Sequence, residues 1–182
     1  MMNIRLRRLS AACLMSLLAQ GPALAATQGT LGSTSTGSIS IGASVPNRVQ
    51  ISGLTDVAFT NQDPSVAASN AQNVCLYSNT STKGYNVTAT GSGASSAFTL
   101  SNGAATVPYS VEWAGSSGQS SGTALTTSAA LTGLTSTATN PTCSAGPSST
   151  ASLVVKITAA NLQGMQAATS YTGTLTLVVA PE

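Results

Sequence analysis

The chain has 182 residues, a formal net charge of +2 and no histidine, and charged residues make up 5% of it, against about 25% in ordinary globular proteins. The lack of histidine excludes Ser-His-Asp and Cys-His catalysis and every metal site built on imidazole. Because charge is so scarce, the surface must consist of Ser, Thr, Asn, Gln and Gly, which resists self-association poorly.

The first 25 residues have the pattern of a secretory signal peptide. A basic front with Arg5, Arg7 and Arg8 precedes an apolar run too short to anchor the chain in a bilayer, and Ala23-Leu24-Ala25 forms a small-residue exit. We therefore predict cleavage after Ala25. Removal of residues 1–25 leaves three basic and four acidic residues: Arg48, Lys83 and Lys156 against Asp56, Asp63, Glu112 and Glu182. The mature chain then has no basic patch for nucleic acid or an anionic membrane.

A polar tail without periodicity, ATQGTLGSTSTG, leads into the stretch GSISIGASVPNRVQISGL. Apolar residues in this stretch share one parity, which predicts a strand with one buried face. They are Ile39, Ile41, Ala43 and Val45, followed after Pro46-Asn47 by Val49 and Ile51. We interpret residues 26–45 as an N-terminal extension and 46–182 as one domain. Whether residues 37–45 fold back on their own domain or pair with another molecule stays open at this stage.

The rest of the chain is a series of short alternating runs separated by Gly, Ser, Asn and Pro. About seven to nine such strands, all antiparallel, are typical of an immunoglobulin-like β-sandwich, so we predict an all-β fold. The runs are DVAF, NVCLYS, GYNVTAT, AFTL, TVPYSVEWAG, ASLVVKIT and SYTGTLTLVVAPE. SAALTGL and ITAANLQGM are expected to contain at most a short helical turn.

Two runs carry most of the pattern. In TVPYSVEWAG, alternate residues point inward, and Pro108 predicts an edge position or a strand end. The inward residues are Val107, Tyr109, Val111 and Trp113. The last run is predicted as a strand from Tyr171 to Val179. One of its faces carries Tyr171, Gly173, Leu175, Leu177 and Val179.

Cys75 and Cys143 form an even pair in an exported protein, which predicts a structural disulfide. The bond would close a loop of about 70 residues and contribute about 4 kcal/mol in the chain-entropy model. The alternative, two reactive thiols, lacks an electropositive neighbour.

The residues offer little for catalysis. Asp63 lies in the turn-like NQDPS and Glu112 points outward from its strand, so a carboxylate pair facing a cleft is not indicated. Trp113 and Tyr109 could stack on a sugar, but their company on an apolar face favours core packing. No metal site, cofactor or catalytic residue is predicted, and association is the expected activity.

Three segments in this order, behind a signal peptide, resemble bacterial fimbrial subunits of the chaperone–usher pathway. The segments are ISIGASVPNRVQISGL, VPYSVEWAG and ASLVVKIT…YTGTLTLVVAPE, and the resemblance covers most of the mature chain. It is strongest to alpha-type, colonisation-factor-like major pilins, with spore-coat-U-like archaic pilins as the near alternative. The resemblance implies a sandwich that lacks its last strand. A periplasmic chaperone fills the open groove, and at the outer-membrane usher the extension of the next subunit replaces it.

Carried onto this chain, the resemblance implies a donor strand at about Gly37 to Val45. Its pocket residues would be Ile39, Ile41, Ala43 and Val45, its hinge Pro46 and Asn47, and the strand bordering the acceptor groove Tyr171 to Val179. The chain departs from the family in two ways. Many pilins place their disulfide at the first strand, whereas here Cys75 comes well into the domain, and alpha-type pilins often have no disulfide. The tail Ala26 to Thr36 is also longer than a donor strand needs.

The function implied is that of a pilus shaft subunit. Identical or related subunits would form a surface fibre for adhesion or biofilm formation, exported through the periplasm of a Gram-negative bacterium without direct membrane insertion. The alternative is a secreted monomeric β-sandwich that binds a ligand, such as a lectin-like adhesin. Aromatic residues make up 4% of the chain, so few side chains are available to stack on sugars. A secreted enzyme ranks third.

Overall fold

The computed structural model describes residues 25–182, so the predicted signal peptide lies, apart from Ala25, outside the described residues. The chain divides into two units, one ending at Val45 and the other running from Pro46 to Glu182. In the first unit, Thr27 and Ser38 form an antiparallel bridge in which each N–H donates to the other residue's carbonyl oxygen at 2.9 Å. Residues 39–45 belong to no strand in the described chain.

The second unit is built almost entirely of short strands. Its elements, in chain order, are β1 (Val49–Ser52), β2 (Ala68–Ser78), β3 (Gly84–Gly91), β4 (Thr99–Ser101), β5 (Thr106–Pro108), β6 (Ser110–Ala114), β7 (Thr123–Ala124), β8 (Ala130–Thr135), β9 (Ala151–Ile157), α1 (Ala159–Gln163) and β10 (Leu175–Pro181). Helix α1 has five residues, as expected for ITAANLQGM, and begins where the Thr158 hydroxyl accepts a hydrogen bond from the Asn161 N–H.

The strands form three antiparallel sheets. A five-stranded sheet has the order β1-β2-β9-β6-β7, a three-stranded sheet has the order β10-β3-β8, and β4 pairs with β5. The prediction of an all-β, immunoglobulin-like antiparallel sandwich is confirmed.

The main core is formed by inward-facing residues of the two larger sheets. Buried side chains come from β2, β3, β6 and β9: Val74, Leu76, Tyr85, Val87, Ala89, Val111, Trp113, Leu153 and Val155. The Trp113 indole N–H donates to the Tyr85 hydroxyl at 3.1 Å, and the two rings meet edge to face. Trp113 is 1% exposed, so core packing rather than a sugar platform is confirmed.

The strands differ from the sequence prediction in three places. TVPYSVEWAG forms two strands in different sheets: Pro108 ends β5, one of the two positions that the proline predicts, and the chain passes through Tyr109 into β6. SAALTGL, expected to contain at most a short helical turn, contributes most of β8. The last strand begins at Leu175 and not at Tyr171, because Thr172 is held by Ser101 of β4 through two backbone hydrogen bonds.

The predicted disulfide is confirmed. Cys75 and Cys143 are bonded, with 5.9 Å between their Cα atoms, and link β2 to the connection between β8 and β9. Ala138 is buried with them and Tyr77 packs against the cluster. This satellite core covers part of the outer side of β2.

Candidate functional site

The two larger sheets each end in an edge strand on the same side of the sandwich. β1 pairs with β2 and β10 pairs with β3, and no strand among residues 25–182 pairs with the other side of either. β1 and β10 come within 8 Å of each other between Cα atoms. We call the space between them the edge groove. Its half-buried apolar residues pack against the main core: Val49 and Ile51 of β1, and Leu175, Leu177 and Val179 of β10.

β10 is a regular strand along its whole length. Its seven residues pair with β3 without a register shift, from Leu175 opposite Gly91 to Pro181 opposite Tyr85. Leu175, Leu177 and Val179 alternate with exposed residues, and Val178 is 57% exposed on the other face. A regular apolar edge without charge is a ready template for pairing with another strand.

The strand order shows which position lies beyond β10. In the immunoglobulin sandwich, strands A, B, E and D form one sheet and C, F and G the other. β1, β2, β9 and β6 lie in the order A-B-E-D, and β3 and β10 take the places of C and F. The position of G is the outer side of β10. Among residues 25–182 no strand occupies it.

The connection after β1 extends the same wall of the sandwich. Val57 and Phe59 lie outside any strand, yet both are half-buried and pack against the core. Just ahead of them, the Thr55 N–H donates to the Gln72 side-chain oxygen at 2.8 Å, and the Gln72 amide nitrogen donates to the Thr55 carbonyl oxygen at 3.1 Å. Beyond the end of β1, hydrogen bonds from the Gln72 side chain thus take the place of backbone pairing with β2.

The start of β1 is held by Asn79, at the end of β2. The Arg48 N–H donates to the Asn79 side-chain oxygen at 2.5 Å, and the Asn79 amide nitrogen donates to the Pro46 carbonyl oxygen at 3.0 Å. The Asn79 backbone N–H donates to the Arg48 carbonyl oxygen at 3.1 Å. Sequence reasoning missed this residue, because its partners lie more than thirty positions earlier in the chain.

The residues singled out from the sequence lie in different places. Ile39, Ile41 and Val45 are 73%, 87% and 82% exposed, and Ala43 is exposed as well. Tyr171 and Gly173 precede β10. Tyr171 packs against a second core cluster and accepts a hydrogen bond from the Gln166 N–H, so Leu175, Leu177 and Val179 are the predicted residues that line the groove.

The carboxylates of Glu112 and Asp63 are engaged in local contacts. Both oxygens of Glu112 accept from the Lys156 ammonium, at 2.7 and 2.8 Å, and one also accepts from the Gly122 N–H at 2.9 Å. These hydrogen bonds lower the pKa of Glu112 below its ordinary value. Hydrogen bonds from Ser65 lower the pKa of Asp63 in the same way.

Two kinds of feature are absent from the described residues. Within residues 25–182, no group of three His, Cys, Asp or Glu side chains is placed to hold a metal ion. In the same range no helix is long and apolar enough to cross a membrane.

Comparison with known proteins gives a likeness among solved structures. No family model and no curated protein matches the sequence. The fold is similar to a chain in a solved chaperone–tip adhesin complex that is vital for synergistic activation of CFA/I fimbriae biogenesis. The sequence identity is 14% and the TM-score is 0.47. The likeness covers 75% of this chain and 41% of that one.

Proposed function

We propose that the protein is a structural shaft subunit of a chaperone–usher fimbria, in which the edge groove of each subunit receives residues 37–45 of its neighbour. The observation that carries the proposal is the regular, unpaired apolar edge of β10 beside β1, over a row of half-buried residues. The exposed apolar row Ile39, Ile41, Ala43 and Val45 is the complementary element.

The two elements match in length and periodicity. A strand over residues 39–45 would extend about 20 Å, the same as seven residues of β10. Placed at the outer side of β10, it would form main-chain hydrogen bonds with that edge, and its alternate side chains would enter the groove. Hydrogen bonds would then give affinity, and the spacing of the apolar side chains would fix the register.

Insertion of such a strand requires the groove to widen. A strand between β1 and β10 needs them about 9.6 Å apart, two interstrand spacings, and their Cα atoms come within 8 Å. The edges must therefore separate at their nearest approach. This supports a role for a periplasmic chaperone that holds the groove open until an outer-membrane usher brings in the next subunit.

The same physics indicates how the chain behaves alone. A mature subunit without a partner in its groove exposes both an apolar edge and an apolar extension, so it is expected to aggregate or to form ladders that resist detergent unless boiled. Export through the periplasm to the surface of a Gram-negative cell, for adhesion or biofilm formation, belongs to this proposal.

The test is Ile41→Asp, with Ser40→Asp as its matched control. Ile41→Asp places a charge in an apolar groove, which costs several kcal/mol when the carboxylate is left unpaired. It is expected to abolish subunit–subunit ladders on detergent gels. Ser40 has the opposite parity and would face away from the groove, so Ser40→Asp is expected to polymerise like the wild type.

Two further results separate assembly from folding. Ile41→Asp should still accumulate as a folded subunit bound to the chaperone, because residue 41 lies outside the domain. Polymerisation of Ile41→Asp at the wild-type level would overturn the donor assignment. A mature chain lacking residues 26–45 that purifies as a stable monomer without chaperone would count against the open groove.

A further inference from the structure

Two amide side chains, one in β2 and one immediately after it, hold the polypeptide on either side of β1. Gln72 bonds to the backbone of Thr55, beyond the end of β1, through both its side-chain oxygen and its nitrogen. Asn79 does the same before the start of β1, with the Arg48 N–H and the Pro46 carbonyl oxygen. The two contacts are alike in chemistry, but the Asn79 contact grips the residues that join the domain to the proposed donor segment.

The Asn79 contact restrains the backbone on both sides of one residue. Its amide accepts from Arg48 and donates to Pro46, so the peptide groups before and after Asn47 are both fixed to the end of β2. The backbone hydrogen bond from the Asn79 N–H to the Arg48 carbonyl oxygen adds a third point of attachment. Within residues 25–182, Asn47 itself makes no backbone hydrogen bond.

Proline adds two restraints to the same segment. The ring of Pro46 fixes its own φ near −65°. It also disfavours the helical region for the residue before it, which keeps Val45 extended. Residues 45 to 48 are thus restrained by the proline at one end and by Asn79 at the other. These restraints favour a stiff connection at Pro46 and Asn47, the residues that the sequence analysis interprets as a hinge.

We infer that Asn79 is a positioning residue: it fixes the backbone of residues 46–48 to the end of β2, and it thereby limits the range of angles between successive subunits of the fibre. This inference rests on the proposed function. It assigns Asn79 no contact with the neighbouring subunit, so its loss should change fibre geometry and leave subunit joining intact.

The experiment compares Asn79→Ala with Gln72→Ala in assembled fibres. Asn79→Ala removes two side-chain hydrogen bonds to the backbone. Gln72→Ala removes two of the same kind and a third from the Thr55 hydroxyl at 3.2 Å. In both variants the four β1–β2 residue pairs remain to hold the strand. Electron microscopy should show the spread of intersubunit angles widened at least about twofold in Asn79→Ala and unchanged in Gln72→Ala. Ladders on detergent gels should be equal in both. Asn79→Asp keeps the acceptor for the Arg48 N–H and is expected to restore part of the narrow spread.

Hydrogen exchange on the subunit supplies a readout that does not depend on fibres. In Asn79→Ala the Arg48 amide should exchange about tenfold faster, which corresponds to about 1.4 kcal/mol. Fibres of Asn79→Ala with wild-type angles would overturn the inference and leave the proposed function standing. Wild-type chains that never join would remove the proposed function and the inference together.

Discussion

β8 and β10 are the two edges of one three-stranded sheet, and they are built differently. β10 pairs with β3 over seven residues without a register shift. Along β8, three residue steps from Leu131 to Leu134 face two steps of β3, from Val87 to Tyr85, so β8 carries one extra residue. Gly133 lies in this bulge with a φ of +73°.

The difference shows which edge is protected. A bulge twists and interrupts an edge, so another strand cannot pair along it, and natural sheets use bulges to prevent association. β8 has this protection. β10 has neither bulge nor charge and keeps an apolar row beneath it. The unprotected edge is therefore the one that our proposal assigns to the neighbouring subunit.

The largest expected effect comes from replacing one half-buried leucine with asparagine on either edge. Leu177→Asn on β10 and Leu131→Asn on β8 each remove a side chain that packs against the main core. Both should lower the free energy of unfolding by about 1–3 kcal/mol. Leu177→Asn should also abolish subunit joining, whereas Leu131→Asn should join nearly as the wild type.

Detergent gels and chemical denaturation of chaperone-released subunits would measure the two effects separately. Equal loss of joining in both variants would show that general destabilisation, and not the β10 edge, limits assembly.

A smaller effect is expected from a substitution in the bulge of β8. Gly133→Val places a β-branched residue at a positive φ, where a non-glycine residue costs about 1–2 kcal/mol. Thermal melting should show this loss, while joining through β10 stays unchanged. A variant that becomes more stable than the wild type would show that the bulge needs no left-handed residue.

The smallest effect is expected away from both edges, at the Glu112–Lys156 pair. Because the pKa of Glu112 is lowered in the fold, the pair stabilises the protein above about pH 4.5, and this contribution is lost as the pH falls through the lower folded-state pKa. Glu112→Gln should cost less than about 1 kcal/mol at pH 7. The difference from wild type should shrink at acidic pH. A difference independent of pH would show that the charge of Glu112 contributes nothing.

The fold could be predicted from periodicity because most strands have one face in a single core. Val111 and Trp113 alternate with polar residues, and the disulfide follows from the even pair of cysteines in an exported chain. Pro108 signals an edge position or a strand end, but the alternation could not reveal the change of sheet there, because Val107, Tyr109 and Val111 stay inward on both sides of it. Residues alternate between inward and outward in the same way whether the two halves of the run belong to one sheet or to two.

The groove was less accessible to sequence reasoning than the core. Leu175, Leu177 and Val179 were placed on one face of the last strand because they alternate, but Tyr171 and Gly173 share that parity and precede the strand. The Ser101–Thr172 contact that delays the strand joins residues far apart in the chain. Asn79 was missed for the same reason, since its partners Pro46 and Arg48 lie more than thirty positions earlier.

In the fibre that we propose, the disulfide has a mechanical consequence. Tension entering at the start of β1 and leaving at β10 runs through a chain in which Cys75 and Cys143 are separated by 68 positions. If the domain unfolded under tension, the crosslink would keep the segment between the two cysteines from extending. At 3.4 Å per residue, that segment has an extended length of about 230 Å. The bond thus caps how far a single subunit can stretch.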